Sequence, residues 1–148
     1  MIEPASNTDA EDRRFFAAFV SGALPPRDFH HREHLRLAYL CLAAEPPDAA
    51  LATFRRLLQA FLNRHLIDPA KYHETLTCAW LQAVDLHMSR TPGTVSFTDF
   101  IARHPALLDA NLMFTHYSRE RLISAVAREQ FITPDLQPIV CHVSQTER

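Results

Sequence analysis

Residues 48–66, DAALATFRRLLQAFLNRHL, decide the fold class. Leu51, Phe54, Leu58, Phe61 and Leu62 recur at three- and four-residue intervals and fall on one face of a helix, with Arg55, Arg56, Gln59 and Asn63 opposite. No strand reproduces that separation, because a strand sorts side chains with a period of two. Pro46-Pro47 stand just before the stretch, where proline's fixed φ suits a helix's first turn and opposes continuation of the preceding one.

The same punctuation extends outward in both directions. A first helix is expected from Thr8 or Asp9 to Ser21, with Gly22 as its stop. A second is expected from Asp28 or Phe29 to Ala44, and a fourth is opened by Asp68-Pro69 and runs to about Ser89. A short fifth follows Ser96, a sixth is opened by Pro105 and ends near Thr115, and a seventh runs from Ser118 to about Gln130. Beyond Thr133-Pro134 an irregular strap is expected. The prediction is an all-α, compact single-domain bundle of about six or seven helices, with the first ~7 residues and those after about 139 frayed.

Composition narrows the function classes. A chain of 148 residues can bury enough surface to fold as one domain. Fifteen Lys and Arg against 17 Asp and Glu give no basic field, so nucleic acid is not an expected partner. Cys41, Cys78 and Cys141 are odd in number and lack CxxC spacing, which points away from a disulfide framework or thiolate zinc site. The polar start MIEPASNTDAEDRR and the lack of a long apolar run predict a cytoplasmic protein with no membrane partner. Phosphate loops and nucleophile elbows are absent from the sequence, which excludes kinases and elbow-type hydrolases.

The chemistry-bearing feature is histidine, nine residues in all. On a helical wheel His34 sits amid the apolar face of the second helix, flanked by His30 and His31, while Arg32 and Arg36 point away. In the fourth helix His73 and Thr77 lie among Tyr72, Leu76, Ala79, Trp80 and Val84, and the arc holding Lys71, Glu74, Thr75, Cys78, Gln82 and Asp85 reads as solvated. His30 and His34, four residues apart, can share one ligand on a helix surface. If the two apolar faces pack, His34 and His73 meet, with Tyr72 and Thr77 beside them.

Two functional classes follow. The first is a small enzyme acting on a small polar molecule, with His34, His73, Tyr72 and Thr77 as catalytic residues. It works either by histidine acid–base chemistry or through zinc or iron held by His30, His34, His73 and Glu74. Glu74 is the weakest ligand of that set because its wheel position faces outward. The second is a non-catalytic ligand-binding or regulatory protein-interaction module with core histidines, for which Arg55, Arg56 and Arg64 supply a charged patch. Asp109 is expected to pair with Arg121 or Arg128, Tyr117 to reach a pocket mouth, and Trp80, Leu76, Leu58, Phe61 and Leu122 to be inaccessible to solvent.

Overall fold

The structure is a computed structural model that describes residues 7–139. Among them are seven α-helices and no strand: α1 (Ala10–Ser21), α2 (His31–Ala44), α3 (Pro47–Arg64), α4 (Glu74–Arg90), α5 (Phe97–Arg103), α6 (Arg119–Leu122) and α7 (Ala125–Glu129). The expected all-α bundle is what forms. The expectation of frayed ends falls, apart from Asn7, outside the described residues, as does Cys141.

The helix ends follow the local chemistry. Asp9 caps α1 by accepting the Asp12 N–H at 2.8 Å, and Asp12 returns a bond from the Asp9 N–H at 3.2 Å. Gly22 closes α1 with φ 86°, a left-handed conformation that favours glycine. Four short 3-10 turns follow prolines or turn residues, at Pro26–Asp28, Pro69–Lys71, Pro105–Leu108 and Leu112–Thr115.

Helices α2 and α4 lie at the centre, α2 against α3 and α4, and α4 against α2, α3 and α7. Every residue from Leu35 to Cys41 is buried, so α2 has no solvated back. Arg36 therefore does not point away: it is 6% exposed and meets the fully buried Asp12 of α1, with Nε 3.0 Å from Oδ1. Arg32 also turns inward, its guanidinium 5.1 Å from the centre of the Phe97 ring. Of the expected core, Trp80, Leu58, Phe61 and Leu122 are buried, and Leu76 is only partly so because it borders a cavity.

Four predicted helices differ from expectation, the second because it starts at His31 after the 3-10 turn at Pro26–Asp28. The fourth helix starts at Glu74, since Asp68-Pro69 opens only a 3-10 turn and Tyr72 and His73 are extended. Proline at the first position suits a 3-10 turn as well as an α-helix. The sixth predicted helix is two 3-10 turns, separated where Asp109 Oδ1 accepts the Asn111 N–H at 2.9 Å. Asp109 is consequently exposed and forms no ion pair with Arg121 or Arg128; those side chains donate instead to the carbonyls of Thr133 and Ala70. The seventh predicted helix is interrupted at Ser124, which caps α7.

The arc of α4 expected to be solvated is partly buried, because the segment after α7 meets Thr75 and Arg55 of α3 meets Cys78. Thr75 Oγ1 donates to the Gln130 carbonyl at 2.9 Å and accepts the Ile132 N–H at 3.1 Å, clamping the strap to α4. Thr75→Val keeps the shape and leaves both backbone groups unpaired, an expected loss of about 1–3 kcal/mol in urea unfolding. A loss within experimental error of zero would mean the clamp contributes no stability.

Candidate functional site

His30, His34, Tyr72, His73 and Thr77, five of the six residues singled out by the sequence, line one cavity of about 510 Å³. Its volume lies within the range of small-molecule sites. Phe29, Leu58, Phe61, Ile67, Leu76 and Trp80 make its walls predominantly apolar. The cavity opens where α2 and α4 begin, because His30 and His73 are the N-caps of those two helices.

His73 is thus a cap, not a residue in the middle of an α4 face. Its Nδ1 accepts the Leu76 N–H at 3.1 Å, which leaves the ring proton on Nε2, and Nε2 donates to the Leu122 carbonyl at 2.8 Å. Both nitrogens are committed to backbone, so the residue ties the start of α4 to the end of α6. Burial holds its pKa below the usual imidazole value, in keeping with a neutral ring.

His34 differs from it in that its side chain makes no hydrogen bond to any described residue. Its ring packs edge-on against Phe29 and Phe54, with centroids 5.8 and 5.2 Å away. Among the described residues no hydrogen-bonding group meets either nitrogen, and the ring lines the cavity. Burial, reinforced by the neighbouring His31, depresses its pKa to about 4, so at neutral pH it is an uncharged imidazole with one donor and one acceptor to offer.

The remaining residues are engaged to different degrees. Tyr72 donates to Glu74 Oε1 at 2.6 Å, and burial followed by that bond raises its pKa. Thr77 donates to the His73 carbonyl at 2.8 Å, back along its own helix. His30 is exposed at the rim as the N-cap of α2, one turn before His34, whose N–H its carbonyl accepts at 2.9 Å.

Glu74 lies outside the cavity. Arg55 of α3 grips its carboxylate at 2.6–3.1 Å, and Tyr72 and Cys78 add donors at 2.6 and 3.3 Å. Burial opposes the charged form, yet these bonds outweigh it and lower its pKa. Burial, followed by the bond to this carboxylate, pushes the Cys78 thiol up to about 12, which disfavours the nucleophilic thiolate at neutral pH. The metal set drawn from His30, His34, His73 and Glu74 is therefore not assembled: His73 and Glu74 are bonded elsewhere. Among the described residues no group of three or more His, Cys, Asp or Glu is placed to hold an ion. Tyr117 does not reach a pocket mouth; it is fully buried and donates to the Ile132 carbonyl at 2.7 Å.

Two ionisable residues of the cavity were not among the predicted site. His31 stands 4.5 Å from Trp80, centroid to centroid, and its Nε2 donates to the Leu107 carbonyl at 2.9 Å. Lys71 was assigned to the solvated arc of a helix, but the helix has not started there, and it lines the cavity mouth. The Asp68-Pro69-Ala70-Lys71 turn was the available signal, since a polar residue ending a turn is not bound to a helical phase.

Fold and site together define an all-helical protein with an apolar, imidazole-bearing cavity, and no helix among the described residues is long and apolar enough to cross a membrane. Set against known proteins, the chain matches no family model, no curated protein and no solved structure, so the chemistry of the cavity rests on its own residues.

Proposed function

We propose that the protein binds a small molecule with a flat apolar body in this cavity, with His34 as the polar contact. The carrying observation is the imidazole of His34, uncharged and without a protein partner, facing a predominantly apolar cavity. With no protein group claiming either nitrogen, both are open to a ligand that enters the cavity. Binding is favoured over general-base catalysis because a base with pKa about 4 accepts protons weakly at neutral pH, where catalytic bases work best near the operating pH.

A second reading, a histidine acid–base enzyme on a small molecule, draws on the presence of His31 and His34 together in the cavity. A bound anion would raise the pKa of His34 towards the working range. The readings part experimentally: in an enzyme His34→Gln abolishes turnover while binding persists.

Trp80, the chain's one tryptophan, lines the cavity and reports occupancy directly. A fragment screen read by Trp80 fluorescence is expected to yield aromatic ligands. His34→Leu, which keeps the apolar volume and removes both nitrogens, is expected to weaken those bearing a polar group by about 5- to 100-fold. Ligands that leave Trp80 emission unchanged, or that bind the Leu variant equally well, would remove the basis for this function.

A further inference from the structure

The charge pattern of the cavity narrows the class of ligand beyond the reading above, on which this inference rests. No aspartate or glutamate lines it; its ionisable side chains are four histidines, one tyrosine and Lys71. The chain as a whole carries a formal net charge of −2, so the absence of acid here is local. Glu74, which follows the cavity residues Tyr72 and His73 in sequence, faces Arg55 instead and is neutralised there. Lys71 is exposed at the mouth and forms no ion pair with any described residue. The two longest central helices, α2 and α4, both begin at this cavity and bring the positive ends of their dipoles to it.

We propose that the cavity selects an aryl or branched-alkyl monocarboxylate, its apolar body between Phe29, Phe61 and Trp80 and its carboxylate met by Lys71. An ammonium ligand would find no counter-ion. A neutral amide or alcohol would fill the apolar part and forgo the lysine. A dianion such as a phosphate monoester would carry a second charge into apolar walls with a single lysine to compensate it. Lys71 is suited to this role because its ammonium is a mobile point charge on a long stem that follows the ligand as it enters. Near His34 the facing groups are His31 from the same helix and His73 and Lys71 from the segment opening α4, while α3 presents only Phe54, Leu58 and Phe61. All of these are neutral or positive, so none repels a carboxylate.

The test uses the full chain and four probes of one shape: 3-phenylpropionate, 3-phenylpropionamide, 3-phenylpropan-1-ol and 3-phenylpropylamine. Calorimetry and Trp80 fluorescence are expected to rank the carboxylate first, about tenfold tighter than amide or alcohol, with the amine weakest. Lys71→Gln should erase the carboxylate's advantage and leave amide binding unchanged, and added salt should weaken the carboxylate selectively. Equal binding of carboxylate and amide, or a preference that survives Lys71→Gln, overturns the anion proposal. If in that case His34→Leu still weakens the polar probes, the cavity reading stands alone. If no probe binds or perturbs Trp80, both are overturned.

Discussion

Asp12→Ala is expected to destabilise the protein by about 3–5 kcal/mol, a large share of the roughly 5–15 kcal/mol that typically holds a domain together. Asp12 is fully buried and accepts from Arg36 Nε at 3.0 Å, from the Phe97 N–H at 3.0 Å and from the Asp9 N–H at 3.2 Å. One carboxylate thus joins α1, α2 and the first residue of α5. Arg36 lies between the rings of Phe15 and Phe97, 5.4 and 5.5 Å from their centres. Without Asp12 its nearest acid is Glu11, 3.6 Å away with a side chain 64% exposed, a poor substitute for a buried partner. Urea unfolding supplies the measurement. Asp12→Leu combined with Arg36→Met should be less damaging than Asp12→Ala alone, since the cost lies in an uncompensated charge and not in the loss of polarity. A single variant costing under 1 kcal/mol would show that the pair does not hold these elements together.

Acidification is expected to unfold the protein partly through His34. Its folded pKa is about 4, against roughly 6.5 in an unfolded chain. Above the unfolded value both states are neutral there and stability is complete. As pH falls through the interval between the two values, the unfolded chain takes up a proton that the folded one refuses, so stability is lost. The loss from this residue should be about 2 kcal/mol by pH 5 and on the order of 3 kcal/mol near pH 4. His73 and His104 are also depressed by burial and add in the same direction. In His34→Phe, whose ring suits a site between Phe29 and Phe54, the difference in unfolding free energy between about pH 7.5 and pH 5 should shrink by His34's share. An unchanged difference would mean that His34 protonates freely in the folded state, and its depiction as a neutral, unpartnered imidazole would have to be abandoned.

How far the site was legible depended on which residues obey helical phase. The apolar stripe of α3 and the placement of His34 on α2 could be read directly, because the stripe runs along a long helix and His34, though in the first turn of α2, already follows its 3.6-residue period. His73, Tyr72 and Lys71 precede α4, and a wheel assigns such residues a direction they do not have. The five cavity residues nonetheless come together, His73 and Tyr72 through the turn that precedes the helix and not through its apolar face. Arg36 and Thr75 show the opposite failure: their phase was right and their exposure was not. Charged and hydroxyl side chains are read as solvated unless a partner is known, and theirs come from residues 24 positions upstream and 55 positions downstream.

The amino-acid sequence by itself determined the helical class, the order of the long helices, the proline and glycine stops between them and the concentration of histidine on α2 and at the start of α4. Except for the position of His73 at the start of α4, which the structure supplied, these are consequences of local sterics and periodicity, which act over a few residues and need no knowledge of neighbours. Only the tertiary structure decided which histidine is free. His34 and His73 look alike in sequence, each a histidine among apolar residues, yet the carbonyl of Leu122 and the N–H of Leu76 consume the hydrogen-bonding capacity of one while Phe29 and Phe54 leave that of the other open. Glu74 was likewise turned from candidate ligand to ion-pair partner by Arg55, which α3 brings beside it. Hydrogen-bond partners are assigned by position in space, and a side chain's chemistry depends on whether those partners have already claimed it.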